Sequence, residues 1–160
     1  MVTLKWCCTV KAGLRLTEPN DNLAKSYMRT ADAFLGTMNR ERNFNMKASL
    51  SAAYYSMYNA LYAVLSKIGL KCEIHACTIE CIPSLLSHYY TKQDLTSIRK
   101  ALDAREIAHY RADKVVTESE KDFVLRETPF FLSKSKEVLA SLSQTDIETI
   151  RKKLKSYMKS

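Results

Sequence analysis

Met46-Lys47-Ala48-Ser49-Leu50-Ser51-Ala52-Ala53-Tyr54-Tyr55-Ser56-Met57-Tyr58-Asn59-Ala60-Leu61-Tyr62-Ala63-Val64-Leu65-Ser66-Lys67-Ile68-Gly69 decides the fold. Leu50, Ala53, Met57, Leu61, Val64 and Ile68 recur at helical spacing and make one apolar face. Tyr54, Tyr58 and Tyr62 make a second stripe at i, i+4 and i+8. A helix apolar on more than one side is buried centrally or covers a partner. Gly69 supplies a natural C-terminal stop, so the spacing predicts a helix over 46–68.

Outward from that segment the pattern stays helical. Pro19-Asn20-Asp21-Asn22 opens a helix over 21–41, with Leu23, Tyr27, Ala31, Phe34, Leu35 and Met38 on its apolar stripe. A third helix is expected over 75–90 with Pro83 inside it, and a fourth over 92–112, opened by Thr91 or the turn after it. Ala101, Ala104, Ala108 and Ala112 form a small-residue strip that admits a close neighbour. Thr117 and Glu120 read as a capping box for a fifth helix through Leu139, which Pro129 should kink. Ser143 and Thr145 can cap a short C-terminal helix. The fold class is all-α: an up-and-down antiparallel helical bundle with short connections. Residues 1–18 lack helical period and read as an extended arm anchored by Trp6. Residues 19–142 form the bundle, and 143–160 a basic helix.

Composition narrows the function classes. The 160 residues carry a formal charge of +8, and the last ten contribute five cations, Lys152 and Lys153 among them, with no acid. Such an end suits an anionic partner, RNA first, or a solvated helix end whose cations complement the dipole. No stretch reaches the roughly 18 apolar residues of a membrane span, so no membrane partner is expected. Met1–Gly13 lacks the core of a secretory signal, which makes the cytoplasm the expected location. The five cysteines are an odd count in a core-rich chain and are expected as reduced thiols, a disulfide-using thermophile cytosol being the exception. P-loop, GxGxxG, HExxH and GxSxG signatures are absent, and three glycines leave little for a phosphate loop.

Three constellations could carry chemistry. Arg105-Glu106-Ile107-Ala108-His109-Tyr110 sets a guanidinium and an imidazole at i and i+4 on one helix face, continuing the stripe of Leu95, Ile98 and Leu102. Arginine holds a phosphate by a planar fork and histidine moves protons near neutral pH; otherwise the two pack at an interface. Cys72, His75, Cys77 and Cys81 offer soft ligands, but their spacing fits no zinc signature, and short thiols on helices serve as apolar fillers, so no metal or other cofactor is expected. The tyrosines Tyr54, Tyr55, Tyr58 and Tyr62 serve first as core and dimer packing and second as stacking surfaces for bases.

Asn22-Leu23-Ala24 through Phe34-Leu35, Ser51 through Ala60, Lys71 through His75 and Arg105 through Tyr110 together resemble the small prokaryotic HEPN-domain proteins of archaeal type, over about residues 20–142. The resemblance implies a bundle that dimerises and brings the Arg/His helix of both subunits to one cleft. It implies a metal-independent ribonuclease of a toxin–antitoxin pair, with Arg105 on the phosphate and His109 as general acid or base. Glu106, Tyr110, Arg111, Tyr54, Tyr58, Lys152 and Lys153 would be binding residues, and a small nucleotidyltransferase the partner. Only three residues separate Arg105 from His109, fewer than the family motif has. That shortening and the aromatic central helix motivate the alternative the family also contains: a non-catalytic dimeric module that binds RNA, a nucleotide or the nucleotidyltransferase.

Overall fold

The computed structural model describes residues 2–159. The elements are α1 (Leu4–Thr9), β1 (Arg15–Leu16), α2 (Asp21–Glu41), α3 (Met46–Ile68), β2 (Leu70–Lys71), α4 (His75–Leu85), α5 (Lys92–Tyr110), α6 (Glu118–Ser141) and α7 (Gln144–Lys159). The chain is an all-α bundle; β1 and β2 are one short antiparallel pair, Arg15 opposite Lys71 and Leu16 opposite Leu70. Among the described residues no helix is long and apolar enough to cross a membrane.

The predicted central helix is α3. It runs through the bundle against α2, α5 and α6, with α4 and α7 also touching it. Leu50, Met57, Leu61, Val64 and Ile68 are buried, as is Tyr54 on the second stripe. Burial on every side is affordable because its buried hydroxyls find carbonyls. Ser49 donates to Met38 O at 2.8 Å, Ser56 to Ala31 O at 2.9 Å and Ser66 to Tyr62 O at 2.8 Å. Gly69 ends the helix at φ +82°, where an added Cβ would also collide with Thr17 O and Pro19 N.

The caps follow the sequence. Asn20 and Asn45 accept from the third residue on, and Thr91–Asp94 and Thr117–Glu120 form reciprocal capping boxes. Ser143 exchanges hydrogen bonds with Asp146 at the start of α7. Pro129 lies inside α6.

Four expectations need correction. The arm is not wholly extended: Thr3 caps a short α1 by accepting from Trp6 N. The i, i+3 pair of that turn, Leu4 and Cys7, faces the body and anchors it, leaving Trp6 44 % exposed. The thiols are not all reduced, because Cys7 and Cys77 form a disulfide that staples α1 to the first turn of α4. The third helix stops at Leu85 rather than 90. Leu86 leaves the helical region, and the chain turns to bury Tyr90, whose hydroxyl pairs with Ser135 Oγ at 2.8 Å and whose ring stacks on Phe131. The fourth helix ends at Tyr110, two residues early, where Arg111 takes φ −117°, ψ 84°.

Candidate functional site

Helices α3 and α5 run antiparallel: as α5 advances from Arg105 to His109, its contacts on α3 step back from Tyr55 to Lys47. Both side chains point at α3, as the i, i+4 spacing requires. They nevertheless enter different surroundings.

Arg105 is half-buried in a cage of tyrosines. Its guanidinium donates to Tyr55 Oη at 2.8 Å and lies 4.9 Å from the ring of Tyr55, 5.6 Å from Tyr54 and 5.7 Å from Tyr110. Rings of negative face attract a desolvated cation and hold it without a carboxylate. His75, the first residue of α4, joins the same cluster. It bonds Tyr54 Oη through Nδ1 at 2.6 Å and stacks on Tyr58 with centroids 4.3 Å apart and planes at 11°. Burial first, then Arg105, pulls its pKa below the usual histidine value; Glu106 acts in the opposite sense. Tyr58 bonds Thr78 Oγ1 at 3.4 Å, and burial raises its phenol to about 12.

His109 is exposed. Its Nε2 approaches Lys47 O at 3.2 Å, and its ring lines a cleft of about 520 Å³. The cleft lies between the start of α3, the end of α5, the α5–α6 loop and the start of α6. Met46, Leu50, Ile107 and Val116 give it an apolar floor. Lys47, Arg111, Lys114 and Lys121 ring it with cations, and no acidic residue is among its lining. Arg111 is paired with Asp113 at 3.3 Å and Lys121 with Glu118 at 2.6 Å, whereas Lys47 and Lys114 make no ion pair among the described residues. Tyr110 and Val115, 69 % and 83 % exposed, stand at its rim.

The remaining candidates scatter. Glu106 is exposed on α5. Tyr54 is fully buried, so its ring is closed to a stacking base. Lys152 and Lys153 are exposed on α7, which sits at the far end of α3: Arg151 beside them donates to Thr17 O, Ile68 O and Gly69 O. The 22 residues from Lys47 to Gly69 span about 33 Å of helix, so the basic tail and the cleft are separate surfaces. The cysteines and His75 do not converge on a metal position. Cys77 is taken by Cys7, His75 by Tyr54, and among the described residues no three His, Cys, Asp or Glu side chains could hold an ion together.

Sequence reading singled out His75 only as a metal ligand, and missed Lys47, Lys114 and Lys121. Nothing in the spacing joins His75 to Tyr54, 21 residues away; the joining is done by the turn through Gly69 and β2. Set against known proteins, the chain matches no family model and no curated protein.

Proposed function

We propose that this chain is a HEPN-like binding module for single-stranded RNA or a nucleotide, taken up in the cleft between α3 and α5. The observation that carries the reading is the cleft itself: an apolar floor under four cations and an imidazole, with no acid lining it. Phosphates would be met by Lys47 and Lys114, whose charges no acid answers among the described residues, and a base would lie over the apolar floor or against Tyr110. A second copy of the chain, a nucleotidyltransferase partner and a cytoplasmic setting belong to the same proposal.

Binding of a fluorescent single-stranded oligoribonucleotide tests it. Affinity should fall steeply with salt and weaken when Lys47→Ala and Lys114→Ala are combined. An affinity indifferent to both changes would refute the reading.

The ribonuclease reading comes second. It draws on the exposure of His109, whose ring faces the cleft with a single carbonyl contact. Arg105 argues against it, since its guanidinium is already engaged by Tyr55 and three ring faces. RNA that is cut in EDTA by wild type and not by His109→Ala would favour cleavage; equal inertness of both would leave binding alone.

A further inference from the structure

Phe44, Val115 and Tyr110 are the three most exposed large hydrophobic side chains among the described residues, at 89 %, 83 % and 69 %. One such side chain on a surface is ordinary; three around one opening mark a contact. Val115 and Tyr110 stand at the mouth of the basic cleft. Phe44 lies in the α2–α3 turn, two residues before Met46 of the cleft floor, so their Cα atoms are at most about 7.6 Å apart.

The fold has no use for the Phe44 ring. The turn is closed by backbone: Phe44 N donates to Glu41 O at 2.9 Å and Asn45 N to the same oxygen at 2.8 Å. Asn45 caps α3. A hydrophobic residue just before a cap commonly staples onto the fourth residue of the helix. Here that residue is Ser49, which is buried and donates to Met38 O. Phe44 makes no ring contact among the described residues. Cations flank it. Arg42 is exposed, and its side chain makes no hydrogen bond or ion pair among the described residues; Lys47 follows at the start of α3. Glu41, the one acid of the turn, is half-buried.

The size of the cleft decides how much of a ligand it takes. About 520 Å³ lies in the range of pockets that hold one small molecule, so it accepts one base with its phosphate and not a strand. The neighbours of that nucleotide must lie outside, where Phe44 offers an uncommitted ring.

We infer that the α2–α3 turn continues the cleft as a track for single-stranded RNA, with Phe44 stacking the base next to the one in the cleft and Arg42 meeting its phosphate. The inference rests on the proposed function and narrows it from a nucleotide to a strand. Stacking suits an exposed ring that no neighbour covers, because every base presents a flat π-face.

The test is fluorescence anisotropy of a labelled octauridylate on the full chain, with uridine monophosphate as competitor. Phe44→Ala should weaken the octamer about tenfold and leave the affinity of the monophosphate unchanged. Phe44→Leu should weaken it nearly as much and Phe44→Trp should restore it, which separates stacking from apolar contact. Arg42→Gln should lower the slope of log affinity against log salt by about 0.7. These variants should melt with the wild type, since both side chains are exposed. Octamer affinity that ignores Phe44 but falls when Lys47→Ala and Lys114→Ala are combined overturns the inference and leaves the cleft reading standing; the three exposed side chains then belong to a protein contact. Equal losses for octamer and monophosphate on Phe44→Ala would put Phe44 inside the nucleotide site and overturn the track. Octamer affinity that ignores all these changes overturns both readings.

Discussion

One turn apart on the same face of α5, Arg105 and His109 inhabit opposite environments. Arg105 is caged by Tyr54, Tyr55 and Tyr110 and shares its surroundings with His75. His109 stands in an open basic cleft with one carbonyl contact. The difference lies in α3, which offers a row of tyrosines to the first and, at its start, an open cleft with an apolar floor and Lys47 to the second. Spacing of i, i+4 puts two side chains on one face; the neighbouring helix decides whether they share a site.

The largest effect that sharpens this contrast should come from the disulfide. It closes a loop 70 residues long, so reducing it or making Cys7→Ser should cost about 4 kcal/mol in denaturant melts. Hydrogen exchange should then quicken in α1 and the first turn of α4, on the Arg105 side, with the α3 end of the cleft little changed. A bridge that contributes nothing measurable would remove the staple from the account.

Next is Tyr54→Phe, which keeps the buried ring and deletes the hydroxyl bonded to His75. It should cost about 1 kcal/mol, whereas His109→Ala should stay within about 0.5 kcal/mol. Equal costs would erase the contrast between the caged and the open residue.

Removing both unpaired cleft cations, Lys47 and Lys114, should lower the slope of log affinity for single-stranded RNA against log salt by about 1.4, at about 0.7 per cation. The same pair of changes should leave the melting midpoint nearly unmoved, because both side chains are exposed. The smallest effect is on pH. The His75 pKa is lowered on folding, so the unfolded chain binds its proton first. His75 then subtracts stability as pH falls from the ordinary histidine value toward the lowered one, and contributes nothing to the pH dependence above it. His75→Gln should flatten that part of the stability–pH curve, and a curve unchanged by the substitution would place the titration elsewhere.

The fold was largely legible because helix signals are local. Period, caps and the Gly69 stop give α2, α3 and α6 almost to the residue. The arm was less legible: a six-residue helix carries too few positions for a period, and nothing in the sequence says which way the turn carrying Trp6 faces. The Cys7–Cys77 bridge joins residues 70 apart, and nothing in their spacing marks them as partners. The site was half legible. The shared face of Arg105 and His109 followed from helix geometry. The cage and the cleft are assembled from α3, α4 and the α5–α6 loop, and are decided by packing.

The most direct test of the central contrast is a double-mutant cycle on single-stranded RNA affinity, using Arg105→Gln and His109→Gln. Residues acting in separate sites should be additive to within about 0.5 kcal/mol. A coupling energy well above about 1 kcal/mol would mean that the two side chains serve one site after all.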